Sequence, residues 1–452
     1  MMTSLWTSTA PPRRPSSPLA GDVDVDVAIV GAGYSGLWTA HYLLEHDPAL
    51  RIAVIEREHV GFGASGRNGG WCIGELAADH TKLAATGGNA GAEAQLRAMF
   101  ATVTEVGRVV DEYGIDCDFH RGGTVRVSRN GAQLMAQHDE VANMHRLGYG
   151  ESDIRLLGAA SASAILAAPG VRGGILQPHS AVLHPLKLAR GLADIIERRG
   201  ASVYENTAAT DVAPGVVRTD RGTVRAPTVV LATEAYTRDL PGRRRQLVPL
   251  YSLMIATEPL PDDVWDAIGL ADRQTFADDR HLVIYGQRTA DGRIAFGGRG
   301  APYRFGSRID ASVESRSRMH DMIERTLREL LPQIGEAAIT HRWGGVLGVP
   351  RDWFPSVGFD RASGMGQLGG YVGEGVAAAN LAGRTLADLI MGADTERTTY
   401  PWVDHHSRRW EPEPLRWLAI NASLRAVAIA DRTEDRTGRP SRLAWITERL
   451  RS

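Results

Sequence analysis

Lysine is nearly missing from this chain: of 51 basic residues only Lys82 and Lys187 are lysines, and every other cation is an arginine. Any chemistry that depends on a lysine amine therefore has two places to come from. Cysteine is equally scarce. Cys72 and Cys117 stand far apart with no CxxC or Cys/His ligand spacing, which argues against structural zinc, so no metal site is expected, and against a disulfide-stapled secreted fold. A reduced, cytoplasmic setting is the expectation. Long apolar runs are lacking too, so no membrane span is expected. The opening segment, "MMTSLWTSTAPPRRPSSPLAGD", has no signal-peptide core and reads as a flexible Pro/Ser-rich tail over 1–22. Nor does either charge dominate. A formal net charge of −2 gives no electrostatic case for nucleic acid or an anionic membrane as partner.

What is present is an ordinary globular composition, 43% hydrophobic and 23% charged, in 452 residues. That length exceeds what one core usually serves, which predicts two domains, or three if the C-terminal tail folds separately. "VDVAIVGAG" is an apolar strand running into glycine, "YSGLWTAHYLLEH" continues as a helix, and "RIAVIE" is a second buried strand, which together make a β-α-β unit. Helical spacing at 92–113 and 133–147 flanks the strand "GGTVRVS". A helix in "HPLKLARGLADIIERRG" and the strand "TVVLAT" follow, and alternating strands occupy 245–340.

Gly31, Gly33 and Gly36 form GxGxxG between that first strand and helix. The first glycine permits the tight turn, the second lets a pyrophosphate approach the backbone, and the third lets helix and strand pack closely. Glu56 ends the next strand about 20 residues on, where a carboxylate accepts hydrogen bonds from ribose hydroxyls. An acid there disfavours a 2′-phosphate, so FAD or NAD is expected rather than NADP. The second loop, "GFGASGRNGGW", separates the two. A flavin must be held past the pyrophosphate, along its ribityl chain and across its ring. Glycines let backbone amides come close, while Arg67 and Asn68 are donors for the ring's N5/O4 edge.

The sequence here resembles the D-amino-acid-oxidase-like (DAO) family of FAD-dependent oxidoreductases, most closely its γ-glutamylputrescine oxidoreductase branch. "VAIVGAGYSGLWTA…VIE", "GASGRNGG", "HPLKLARGLA", "TVVLATEAYT" and "HRWGGVLGVPRDWFPSVGF…GGYVGEGVAAANLAGRTLADLI" carry the likeness over roughly residues 23–392. It implies an α/β fold: a glutathione-reductase-like (Rossmann) FAD domain from 23–75, 181–244 and 340–392, interleaved with an α+β substrate domain built on an antiparallel sheet from 76–180 and 245–339. The region 393–452 would be a helical extension.

The resemblance implies cofactor contacts at Gly31, Gly33, Tyr34, Ser35 and Gly36, then at Glu56 and Arg57. In the second loop they fall on Gly63, Ala64, Ser65, Arg67, Asn68, Gly69 and Gly70. Further contacts are expected at Val212, Ala232 and Thr233, and at Gly370, Tyr371, Gly373, Gly375 and Val376. "GGYVGEGV" opens a helix whose positive end can face the flavin N1/C2=O edge. Glu374 within it is a candidate anion for a substrate ammonium. Arg67, Glu374, His341, Tyr285 and Arg299 are the candidate catalytic residues. His120, Arg121 and Tyr251 are further pocket candidates, and Arg299 and Arg342 candidate anion binders.

The departures from the family pattern matter as well. No cysteine lies in "RWGGVLGVPRDWF", where some members attach FAD, and no histidine lies in the second loop, so FAD is expected to be non-covalent, with Cys72 a distant alternative. Neither lysine falls in "GRIAFGGRG" or "GGYVGEG", where relatives use lysines toward oxygen and substrate carboxylate. Amine dehydrogenation is thus more secure than oxidase activity. The expected reaction takes a hydride from a small primary or secondary amine, γ-glutamylputrescine-like or related, to flavin N5. The imine then hydrolyses, and molecular oxygen or another acceptor takes the electrons. Alternatives are oxidation of an amino acid, N-methyl amino acid or aminophosphonate, an NAD-linked dehydrogenase, and a nucleotide-binding scaffold with vestigial flavin. For the Trp-rich tail, a helix pair clamping the core is expected, with a homodimer contact or an active-site cover as its alternatives.

Overall fold

The apolar runs VAIV and IAVI are buried on both faces, the pattern of strands inside a covered parallel sheet. In the computed structural model, which describes residues 4–315 and 317–443, they pair in register, Val27 opposite Ile52. The sheet they centre has six strands in the order Ser356–Asp360, Met365–Gly369, Thr228–Leu231, Val27–Val30, Ile52–Ile55 and Ser202–Tyr204. All are parallel except the 356–360 edge. Side chains alternate across it. Ile29, Val54 and Val230 pack under the helices Tyr34–His46, Pro185–Arg198 and Gly375–Met391, while Ala28, Val30, Ala53, Ile55, Val229 and Leu231 meet Val217 and Val224 of a small four-stranded sheet. Each of the buried valine, leucine and isoleucine side chains contributes about 1.5–3 kcal/mol.

The second large sheet has eight strands, in the order Ile339–Val349, Val248–Thr257, Ile294–Arg299, Ile284–Arg288, Thr275–Asp278, Thr124–Ser128, Gly173–Gln177 and Arg155–Gly158. Pairing is antiparallel throughout except between 275–278 and 124–128. Tyr251, Leu253, Ile255, Phe276, Ile284 and Phe296 line one face, packed with Ile323, Leu327 and Leu330 of the Arg318–Leu330 helix. The period-2 alternation turns Leu250, Ser252, Met254, Gly297, Arg299, Gly345 and Leu347 to the opposite face. That face meets the second glycine loop.

Two expectations about segments change. The cut expected at 340 falls inside the eight-stranded sheet, because 339–349 pairs with 248–257 along its whole length. The N-terminal segment, expected to be a flexible tail, is packed: Leu5–Thr9 is helical, and Leu5 and Trp6 are buried with Leu186, Met254 and Trp343. Arg13 then pairs with Asp194 and Glu197, and Leu19 is buried. At the other end, the Leu415–Thr437 helix lies over the core. The second amphipathic stretch expected in the tail falls, from 444 onward, outside the described residues. No helix among the described residues is long and apolar enough to cross a membrane.

Candidate active site

The first loop is shaped by contacts that tolerate no side chain. Gly31 has φ +111, and a Cβ on it would stand 2.5 Å from the Ala232 carbonyl oxygen; on Gly36 it would stand 2.0 Å from the Gly31 oxygen. The Tyr34–His46 helix begins at Gly33 with no side-chain cap, so its first turn opens on the cleft. The cleft is lined by Gly31, Gly33, Tyr34 and Ser35, by Glu56 and Arg57, by Gly63, Ala64 and Ser65, and by Ala232, Thr233 and Tyr236. Glu56 accepts from the Ala32 and Glu58 amides at 2.9 and 3.0 Å, and burial raises its pKa against those bonds.

The second loop is stitched to the first. The Gly61 amide donates to the Ala32 carbonyl (3.0 Å), and the Tyr34 amide donates to Ser65 Oγ (2.9 Å). Asn68, expected to face the flavin, instead staples its own loop. Its Nδ2 donates to the Ala64 and Ser65 carbonyls, and its Oδ1 accepts from the Gly70 amide at 2.7 Å. Its carbonyl accepts from the indole of Trp6 (2.8 Å), so the N-terminal helix braces this loop. Arg67 pairs with Glu314, lies over the Phe62 ring, and receives the Trp343 indole N–H on its carbonyl. Gly69 sits flush on Tyr285, whose hydroxyl is bonded to Ser252 Oγ at 2.6 Å.

The third strand of chain, 369–376, closes the site. Gly370, Val372 and Gly373 all have positive φ. Glu234, itself at φ +44, accepts from the Gly370 and Tyr371 amides, and burial pushes its carboxyl up to about 7. Tyr371 bonds Ser35 Oγ (3.0 Å), tying this loop to the first helix. Glu374 stands at the start of the Gly375–Met391 helix, which has no side-chain cap. Its carboxylate lies 3.4 Å from Arg299 Nη2, and burial raises its pKa while Arg299 opposes the rise. Arg299 also donates to the Val372 carbonyl, and its buried Nε has no partner among the described residues. Two helix starts without an N-cap side-chain bond, glycine-walled loops and the Glu56 carboxylate at the end of the second strand are a donor and acceptor set that fits FAD.

Several predicted residues lie elsewhere. His341 is at the far end of its strand, bonded to Ser8 Oγ and Thr340 Oγ1. Arg342 pairs with Asp321 and Glu324, and His120 with Asp272; Arg121 is exposed. Val212 packs beneath the small sheet, and Ala209 is the residue of that strand that lines the cleft. Cys72 is buried in the core, where burial raises its thiol. Lys82 donates to the Asp352 carbonyl and Lys187 pairs with Asp118. Sequence reasoning missed Glu234, Tyr236 and Trp6, and also Glu75, a carboxyl that burial pushes up to about 7 and that feels both Arg126 and Glu374. The motif "TVVLATEAYT" contained the signal for Glu234: an acid three residues past the end of a buried strand.

A family model described as FAD dependent oxidoreductase (DAO) matches residues 26–389. Gamma-glutamylputrescine oxidoreductase of Escherichia coli (strain K12) is 32% identical over 399 residues, 87% of this chain and 90% of the relative. A probable oxidoreductase OrdL of Rhizobium meliloti (strain 1021) is 30% identical, covering 86% and 89%. Among solved structures, glycine oxidase from Geobacillus kaustophilus superposes with a TM-score of 0.68 at 20% identity, covering 82% of this chain and 96% of that one. L-Proline dehydrogenase from P. horikoshii also gives 0.68, at 19% identity, covering 86% and 98%.

Proposed function

The chain belongs to the DAO family of FAD-dependent oxidoreductases, and from that premise we propose that it oxidises a small primary or secondary amine in a cytoplasmic setting, γ-glutamylputrescine and related amines being the first to try. The observation that carries this reading is the Arg299–Glu374 pair at the uncapped start of the Gly375–Met391 helix.

FAD, when bound, supplies the acceptor for a hydride from the substrate's α C–H. The chain's own groups hold and orient the amine. Glu374 offers an anion to the substrate nitrogen, and Arg299 keeps that carboxylate in place. The helix start directs partial positive charge to the same spot. Tyr285 and Ser252, bonded to each other, form the floor on the eight-stranded sheet. The imine so formed is hydrolysed by water to an aldehyde or keto product plus ammonia or an amine, and molecular oxygen or another small acceptor takes the two electrons.

A second reading, oxidation of an amino acid, N-methyl amino acid or aminophosphonate, is favoured by one feature: Arg299 Nε, a donor with no partner among the described residues and suited to a carboxylate or phosphonate. Anaerobic mixing of the flavoprotein with an amine and amino-acid panel tests both. Loss of flavin absorbance near 450 nm with amines supports the first reading and loss with amino acids alone supports the second. Bleaching by neither refutes both. The rate at which air restores the absorbance separates an oxidase from a dehydrogenase.

A further inference from the structure

Arg299 is also one wall of a large cavity that the site described above does not account for. This space of about 510 Å³ falls in the range of small-molecule pockets, roughly 300–1,000 Å³. Its floor is Leu250 and Leu347, on the same sheet face as Arg299 and Ser252, together with Val372, the residue two before Glu374. Its roof is the Leu415–Thr437 helix, through Ile420, Leu424 and Val427. That helix lies beyond residue 389, where the family match ends.

The roof is fixed rather than loosely laid. Asp431 accepts from the His281 and Leu282 amides at 2.7 and 2.9 Å, and Glu434 pairs with the His281 ring. Asn421 donates to the Tyr303 carbonyl, and the Trp410 indole, just before the helix, donates to the Val349 carbonyl at 2.8 Å. Polar groups around the cavity are largely taken up by one another. Arg351 pairs with Glu411, and the Tyr251 hydroxyl accepts from the Asp310 amide at 2.6 Å. Arg299 keeps an N–H with no partner among the described residues. Arg299, which pairs with Glu374, is thus the charged group at one end of the space, the Arg351–Glu411 pair and His281 lie elsewhere on its wall, and leucine, valine, isoleucine and tryptophan side chains make up most of the rest.

Resting on the amine-oxidation reading, but not on its γ-glutamylputrescine example, whose far end is polar, we infer that the substrate carries an extended apolar substituent, alkyl or aryl, which occupies this cavity while the nitrogen reaches past Arg299 to Glu374. The C-terminal helix is then the element that selects the substrate. A polar tail would have to give up its water against leucine, valine and tryptophan side chains with few free partners, a cost that an alkyl tail does not incur.

The test uses the anaerobic holoenzyme and the series ethylamine, butylamine, hexylamine and octylamine, with 6-aminohexanoate as a polar-ended match for hexylamine. Binding is followed by the fluorescence of the tryptophans, Trp353 and Trp410 being in the cavity wall, and reduction by flavin absorbance. The dissociation constant should fall by about fourfold per added methylene until the cavity is filled, and 6-aminohexanoate should bind more weakly than hexylamine. Leu424→Arg should erase the dependence on chain length. Ile429→Arg, on the exposed outer face of the same helix, should keep it, which separates lost lining from a loosened helix. A flat dependence, tighter binding of 6-aminohexanoate, or an undiminished dependence in Leu424→Arg would overturn the inference. If ethylamine still bleaches the flavin in those cases, amine oxidation itself stands; if no amine binds or bleaches it, both fall.

Discussion

Arg67 and Glu314 form an ion pair, 2.5 Å between Nη1 and Oε2, with the guanidinium over the Phe62 ring and the pair largely shielded from solvent at 22% and 13% exposure. The pair joins the second glycine loop to the short Ala311–Ser315 helix across 247 positions of sequence. Arg67→Ala leaves a carboxylate that burial already raises and Arg67 alone steadies among its neighbours. The expected loss is about 1–3 kcal/mol of stability, together with weaker flavin retention or slower flavin reduction. Glu314→Gln separates the two effects, since it breaks the pair and keeps the arginine. Equal flavin content and reduction rates in Arg67→Ala would leave Arg67 as a structural staple.

Glu234 makes stability depend on pH in an unusual direction. Its folded pKa, about 7, lies above its ordinary 4.5, so between these values the unfolded chain binds fewer protons than the folded one. Stability attributable to this group is therefore complete below about pH 4.5 and declines as pH rises toward 7. Glu234→Gln keeps an acceptor for the Gly370 and Tyr371 amides and should flatten that decline. Urea midpoints measured across pH 5 to 8 in both proteins check it.

Glu374 leads to a pH dependence in binding rather than stability. Because burial raises its pKa, amine affinity should weaken as pH falls through that raised value and the carboxylate is protonated. Glu374→Gln should bind amines several-fold less tightly at neutral pH and lose this acid limb. Titration of flavin absorbance with a fixed amine at several pH values reads both.

Gly36→Ala places a methyl 2.0 Å from the Gly31 carbonyl oxygen. Backbone must move to admit it, at a cost of about 1–3 kcal/mol or more, and the moved backbone is the glycine turn expected to hold the cofactor's phosphates. The expected outcome is a protein purified with little or no flavin. Full flavin occupancy with an unchanged melting temperature would contradict the geometry.

Trp6→Ala removes a buried indole and its bond to the Asn68 carbonyl. Loss of about 3–5 kcal/mol is expected from the cavity left behind, and flavin should dissociate faster because the second loop loses its brace. Thermal melting and flavin release on dilution measure the two separately.

The first loop could be read in the sequence because its geometry is local: six positions of turn and helix start hold Gly31, Gly33 and Gly36. Glu234 could not be placed so easily, since it serves amides 136 and 137 positions away through a left-handed backbone turn. Trp6 was hidden for the same reason, its partner Asn68 lying 62 positions on. His341 was misplaced by distance along a strand. It shares a sheet face with Leu347, but six residues at about 3.3 Å each separate them, and the N-terminal helix claims the His341 end. Asn68 illustrates a different limit. Residue type indicated a donor, but the tight turn uses both of its amide groups internally.

The strand Thr228–Leu231 lies between Val27–Val30 and Met365–Gly369, and the helix following the latter packs on Tyr34–His46. A ribosome must therefore release nearly the whole length before the cofactor's berth exists. Val27–Val30 is made long before Met365–Gly369, an interval in which unpaired apolar strands are open to aggregation. Added riboflavin should therefore raise recovery by trapping completed chains, and should do nothing for chains still short of Met365–Gly369.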